Sequence, residues 1–271
     1  MNDIIHEKKD FTYLQWSTIR SSSGTAGSFL KATERGKNNK IYYKLSNYDN
    51  VNGIMGHECV NELIVSRLLD VLKIPHLKYR LFYGEVLINQ QFYKTYLCAS
   101  DSFRMRGESK MSFEDYYQME QLAGETPLEF VVRKGWEKQI YQMFLLDFLI
   151  LNRDRHGANM EVVADTKGNV RMAPLFDHGL SLLFNCHSLD EISAYDVMED
   201  KRVQSFVGSR SVKDNLMLIP PKFPVVECRL EEKDREYIFE DLESVLPKEH
   251  LEKIWEMIWR RWQYYEGLYN L

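Results

Sequence analysis

Three oxygen-bearing side chains fall within one short stretch of this chain. Asp154 and Asn159 stand five residues apart, and Asp177 follows eighteen residues after Asn159. The segment between them reads as a hairpin. Residues 160–163 are apolar and β-prone, Asp165, Thr166, Lys167, Gly168 and Asn169 supply turn chemistry, and residues 170–174 form a second short strand. Two carboxylates and an amide at this spacing suit phosphoryl transfer, which needs a carboxylate near an attacking hydroxyl and oxygen ligands for Mg²⁺. In that arrangement Asp154 is the base or orients the nucleophile. Asn159 reaches the metal from the same loop, and Asp177 holds metal against the β- and γ-phosphates of the donor.

Each string alone has a plainer reading: a solvated polar turn around Asp154 and an ordinary strand end around Asp177. Both together, in this order and with a hairpin of this length between them, favour the phosphotransferase reading. Asp-x-x-x-x-Asn, a hairpin and then Asp-x-Gly is the protein-kinase catalytic loop and metal loop in outline. Asn152-Arg153-Asp154 stands where His-Arg-Asp is usual, and Asp177-His178-Gly179 where Asp-Phe-Gly is usual. His156 and His178 flank the acids and either tune charge near neutral pH or serve structure. Arg153 and Arg155 either clamp phosphate or brace the loop.

A site of this kind must be carried by rigid elements. Residues 136–151 read as a helix that is apolar nearly all round towards its end, so it is buried and delivers the chain to Asn152. Asp147 inside it calls for a structural partner. Upstream, residues 11–19 and 29–32 read as strands around a small-residue loop. In that loop Ser23, Gly24, Thr25, Ala26, Gly27 and Ser28, with Ser21 and Ser22 before them, are candidates to cover phosphates with backbone N–H groups and hydroxyls. A plain surface hairpin is the alternative. Lys44 lies in an otherwise apolar strand, as an edge gatekeeper or as a nucleotide lysine fixed by a glutamate from the next helix. Residues 57–73 have helical periodicity and stop before Pro75. On that helix Glu58 and Glu62, one turn apart, are the candidate partners for Lys44. The alternative is that both are solvated helix carboxylates, a reading that suits Glu58 better.

Residues 77–99 alternate as two or three antiparallel strands, and the backbone of residues 97–100 is a candidate adenine hinge. Residues 102–112 read as a linker or flap. Helices are expected from Ser112, over residues 126–134 with Pro127 in first position, over 230–245 and over 248–265. Residues 185–222 read as irregular. The domain reading is 1–100 for a sheet-rich part and 101–271 for a mostly helical part.

The chain has 271 residues, 44% hydrophobic and 28% charged, which is ordinary for a globular protein that buries a core. Its net charge of −5 argues against a nucleic-acid-binding surface. No apolar run approaches the roughly 20 residues that span a bilayer, and the N-terminal residues lack the pattern of a signal peptide. Cys59, Cys98, Cys186 and Cys228 are far apart and read as free thiols in a reducing cytoplasm.

The strings Asn-Arg-Asp-Arg-His-x-x-Asn (residues 152–159) and Ala-Pro-Leu-Phe-Asp-His-Gly-x-Ser-Leu (residues 173–182) resemble the C-terminal catalytic domain of the HipA-like serine/threonine kinases. These are bacterial proteins distantly similar to phosphoinositide 3- and 4-kinases. The resemblance implies an α+β, bilobal protein-kinase-like fold, with a small antiparallel-sheet N-lobe, a larger mostly helical C-lobe, and ATP and Mg²⁺ between them. It implies Asp154 as catalytic aspartate, Asn159 and Asp177 as metal ligands, and Lys44 as the nucleotide lysine, with Glu62, preceded by Asn61 as in the family's pattern, as its partner and Glu58 as the fallback. The acceptor would be a protein hydroxyl, including a serine of the protein's own phosphate loop (Ser21, Ser22, Ser23 or Ser28). Toxin members of that family carry an extra N-terminal subdomain and work with a DNA-binding antitoxin. This chain begins almost at the nucleotide loop, so the subdomain is expected to be absent or encoded separately, and an antitoxin-like partner is an open expectation. Two alternatives remain: a lipid or small-molecule kinase, and a nucleotide-binding pseudokinase.

Overall fold

The computed structural model describes residues 3–17, 29–36 and 39–269. The first part holds strands β1 (Ile4–Asp10), β2 (Lys31–Arg35) and β3 (Lys40–Lys44), then the small hairpin β4 (Tyr48–Asp49) and β5 (Gly53–Ile54). Helix α1 (Glu58–Val71), β6 (Arg80–Ile88) and β7 (Gln91–Asp101) follow. Five strands form one sheet in the order β1-β6-β7-β3-β2. All its pairings are antiparallel except β1 with β6. Asn89 and Gln90 join β6 to β7 with φ of 49° and 67°, the left-handed backbone that a tight two-residue hairpin needs.

β1 was not expected from the sequence. It is an edge strand, with Ile4 buried and residues 6–8 exposed, so it lacks the alternation that marks a half-buried strand. Of the strand expected over residues 11–19, the described residues 11–17 form a turn followed by a single bridge between Ser17 and Lys31. One face of the sheet buries Phe11, Leu14, Tyr43, Leu45, Val86 and Leu97 in a small core of its own. The other face receives α1, whose Leu63, Ile64, Leu68 and Leu69 join the main core. Full burial of each such side chain stabilises by about 1.5–3 kcal/mol.

The second part is mainly helical. It contains β8 (Ser109–Ser112), α2 (Phe113–Glu120), α3 (Pro127–Arg133), α4 (Glu137–Ile150), β9 (Asp154–Arg155), β10 (Glu161–Ala164) and β11 (Val170–Met172). After these come α5 (Leu189–Ala194), β12 (Gln204–Ser205), α6 (Val212–Met217), α7 (Asp234–Ile238) and α8 (Lys248–Tyr269). Ser112 caps α2 by accepting from the Asp115 amide, and Thr126 with Glu129 forms a capping box on α3, with Pro127 in the first turn. The expected linker ends in β8, which pairs with β10, and β10 pairs with β11 as the expected hairpin. α4 is buried from Ile140 to Ile150 because other helices pack around it.

The helix expected over residues 230–245 is broken into the short α7 and a 3-10 turn at Leu242–Ser244. The Arg67 guanidinium, reaching from α1, donates to the carbonyls of Ile238 at 3.2 Å and Glu240 at 2.6 Å, and Asp241 turns left-handed at φ 64°. A tertiary contact thus takes the carbonyls that further helical turns would have used. No helix among the described residues is long and apolar enough to cross a membrane.

Candidate active site

Lys44 ends β3 and is buried. Its Nζ donates to Glu62 Oε1 at 2.7 Å and to Asp177 Oδ1 at 2.6 Å, and stands 4.7 Å from the centre of the Phe29 ring. Burial pulls the lysine pKa down, but Asp177 and then Glu62 outweigh it and hold it well above the ordinary value. The ammonium is therefore charged at any physiological pH. Lys31, which the sequence reading did not single out, brings its Nζ 3.6 Å from Asp177 Oδ2. Only its place one strand away, opposite Lys44 in the β2–β3 register, would have flagged it.

Glu62 is fully buried on α1 and serves two donors, because its Oε2 accepts the His178 backbone N–H at 2.8 Å. Its neighbour Asn61 donates to the carbonyls of Gly179 at 3.1 Å and Ser181 at 3.0 Å. One turn of α1 thus grips the loop that carries Asp177. Asp177 itself has φ 59°, a backbone state that Asp tolerates better than most residues and that clusters at functional sites. Gly179 is needed for close approach, since a Cβ there would come 3.1 Å from both Lys44 Nζ and Glu58 Cβ. Glu58 is not the solvated carboxylate of the alternative reading. It is buried, accepts the Asn47 amide at 3.2 Å, and burial raises its pKa.

The Asp154 loop leaves α4 through Leu151, whose φ of 48° ends the helix. Asn159 donates its amide N–H to the Asp154 carbonyl at 2.7 Å and to Asp154 Oδ2 at 3.2 Å, while His156 Nε2 lies 3.6 Å from Asp154 Oδ1. Arg155 is buried and braces the loop. Its guanidinium engages both Asp147 oxygens, at 3.0 and 2.9 Å, and donates to the carbonyls of Asn159 and Phe176 at 3.2 and 3.0 Å. Asn159 and the residue before Asp177 are therefore held by one side chain, and Asp147 has the structural partner its place required. Burial lowers the Arg155 pKa, but the Asp147 charge reverses this and raises it. His178 Nδ1 lies 3.1 Å from Arg155 Nη2 and so acts as acceptor. Burial first, and then that guanidinium, hold this histidine neutral, well below its usual pKa.

A cleft of about 390 Å³ runs between sheet and helical part, with Lys44 and Asp177 on its wall. Its lining includes five basic residues (Lys31, Lys40, Lys44, Arg104, Lys110) against three acidic ones (Asp101, Glu161, Asp177), a balance suited to a polyanion. The expected hinge needs correction. β7 runs to Asp101, and the backbone of Cys98 and Ala99 is paired to β3 on one side and β6 on the other. The cleft-lining chain beyond the double-paired strand is Ser102, Phe103 and Arg104. The phosphate-loop candidates Ser21 to Ser28 lie outside the described residues.

A two-lobed kinase-like fold, α+β with a small antiparallel-rich sheet, is what this architecture defines, and it is the fold that the resemblance to HipA-like kinases implies. No family model and no curated protein matches the chain in sequence. Among solved structures, the chain is similar to the Helicobacter pylori proinflammatory kinase CtkA, with TM-score 0.65, 16% identity, and 97% of each chain covered. Shewanella oneidensis HipA, solved with HipB and operator DNA, gives TM-score 0.41 at 14% identity over 92% of this chain and 58% of that one.

Proposed function

We propose that the protein is an ATP- and Mg²⁺-dependent protein serine/threonine kinase of HipA-like type. The observation that carries this reading is the buried Lys44 bonded at once to Glu62 and Asp177 on the wall of a basic cleft. In this reading residues 1–100 hold the nucleotide and residues 101–271 supply the catalytic and acceptor side. Lys44, set by Glu62, takes the donor phosphates, and Lys31 adds charge beside it. Asp154 orients the acceptor hydroxyl and accepts its proton.

The donor set fits a hard cation of the Mg²⁺ type. Among the described residues no three His, Cys, Asp or Glu side chains gather into a metal cage. Mg²⁺ does not need one, since it keeps waters and substrate phosphates and takes one or two carboxylates from the protein. Asp177 and the Asn159 amide oxygen would supply the protein ligands. Bound Mg²⁺ would neutralise charge on the transferring phosphate. The protein's own part is to hold Asp154 and Asn159 in one bonded loop and to fix the Asp177 loop through Asn61, Glu62 and Arg155.

Incubation with [γ-³²P]ATP and Mg²⁺, alone and with a cell lysate, followed by mass spectrometry, tests the assignment. The expected result is phosphoserine or phosphothreonine on the protein itself or on lysate proteins. Labelled lipid with no labelled protein would replace the reading with a lipid kinase. ATP binding without any transfer would make it a pseudokinase.

A further inference from the structure

On the outer side of the Asp154 loop lies a second recess, separate from the Lys44 cleft. β9, which carries Asp154, pairs in parallel with β12. The Gln204 and Phe206 amides donate to the carbonyls of Arg153 at 3.0 Å and Arg155 at 2.9 Å. The Val203 amide donates to the Arg210 carbonyl at 3.0 Å, and Arg153 Nε donates to the Arg202 carbonyl at 3.0 Å. Arg153, Arg202 and Arg210 are thus tied by backbone bonds around one opening of about 660 Å³. His156 and Glu114 complete its charged lining. His156 accepts the Ala158 N–H on Nδ1 at 3.1 Å, so a neutral ring carries its proton on Nε2, the nitrogen 3.6 Å from Asp154 Oδ1. One side chain therefore faces both the proposed base and the recess.

The charge here is unbalanced. Among the described residues no carboxylate lies within ion-pair distance of Arg153, Arg202 or Arg210, although most basic side chains around the main cleft and on α8 have such partners. Three guanidinium groups against one carboxylate leave an excess of positive charge on the recess wall, and guanidinium geometry matches carboxylate and phosphate oxygens two at a time. We propose that this recess is an acceptor-side anion subsite, which holds a carboxylate or phosphate on the protein acceptor next to the hydroxyl offered to Asp154. The inference rests on the kinase reading and names its substrate class: serine or threonine flanked by acidic or already phosphorylated residues. A nucleic acid is the poorer occupant, because the chain carries a net charge of −5 and a nucleic-acid surface usually engages more phosphates than three arginines can meet.

The test separates binding from transfer. The full chain is titrated, without ATP, against fluorescent serine peptides that differ only in the flanking residues: aspartate, phosphoserine, asparagine or lysine. The aspartate or phosphoserine peptide should bind about tenfold tighter than the asparagine peptide, a difference of about 1.4 kcal/mol, and the gap should shrink as salt rises. Tight binding of the aspartate peptide identifies a carboxylate ligand, and preference for phosphoserine alone identifies a phosphate. The double variant Arg202→Glu/Arg210→Glu should lose the gap and favour the lysine peptide. Equal binding of all four peptides by the parent chain, or a preference that survives the charge reversal, overturns the subsite. So does displacement of the acidic peptide by an oligonucleotide but not by free phosphoserine. Phosphate transfer is then measured on the same peptides. Acid-selective binding with no transfer sinks the kinase reading and leaves the anion site standing, whereas transfer without selectivity does the reverse.

Discussion

Replacing Glu62 by Gln tests the site at its most constrained point. Glu62 is 0% exposed and supplies two oxygens to two donors, Lys44 Nζ at 2.7 Å and the His178 N–H at 2.8 Å. Glutamine has one acceptor oxygen, so one of those donors must face an amide NH₂ with no water at hand. An unmet buried donor costs about 1–3 kcal/mol, and removal of one partner from a buried ion pair about 3–5 kcal/mol. Asp177 stays 2.6 Å from Lys44 and softens the loss, which places Glu62→Gln at about 3 kcal/mol. At roughly 2–4 °C per kcal/mol for a chain of this size, Tm should fall by roughly 6–12 °C. Transfer should fall by about 10²-fold, because Lys44 and the Asp177 loop lose their common anchor. Calorimetry and a [γ-³²P]ATP assay read both. Glu58→Gln is the control, since burial already favours the neutral form of that carboxyl, and it should shift Tm far less. If Glu62→Gln melts with the parent chain and transfers phosphate normally, the reasoning from Lys44 outward is refuted.

Asp154→Asn and Asp177→Asn should each abolish transfer while circular dichroism stays that of the parent, because asparagine adopts the φ of 59° at position 177 as readily as aspartate. Residual transfer near the parent rate in either variant would remove that residue from the mechanism. Gly179→Ala should weaken ATP binding measured by calorimetry, as its Cβ would press to 3.1 Å from Lys44 Nζ, and unchanged affinity would show that Lys44 does not hold nucleotide. Acid should destabilise the fold through His57 and His250, whose rings meet edge to face at 4.3 Å. Burial pushes them down to about 3 and about 4 from 6.5, so the unfolded chain binds more protons below about pH 6.5. This contribution is complete above that pH and is lost as pH falls from about 6.5 to about 3. A His57→Asn/His250→Phe chain should show a flatter Tm profile over this window, and an identical slope would refute the assignment.

The parts of the fold that the residues declared are those where burial and period agree. The helix bearing Asn61 and Glu62, the all-apolar α4 and the hairpin between Asn159 and Asp177 each rest on strong local patterning. Lys44 was legible because a lysine among β-prone apolar residues is conspicuous. The misses share another cause. β1 is a charged edge strand recognisable only from its parallel partner β6, the helix beyond residue 238 is undone by Arg67 from a distant element, and the extent of β7 is set by its pairing with β3. Lys31 and two arginines around β12, Arg202 and Arg210, belong to the same class. Each is an unremarkable basic residue until the chain is folded, and only pairing register brings Lys31 beside Asp177 and the arginines to the recess beside the Asp154 loop.

The turn of α1 that carries Asn61 and Glu62 grips the Asp177 loop while it also fixes Lys44. Those two duties cannot be surrendered separately. Any ligand, modification or crowding that slides α1 along the sheet by a fraction of a turn would release Lys44 and the Asp177 loop, the proposed phosphate anchor and cation ligand, in the same movement. In the proposed kinase that coupling would leave two settings, on and off, with no half-active one between them.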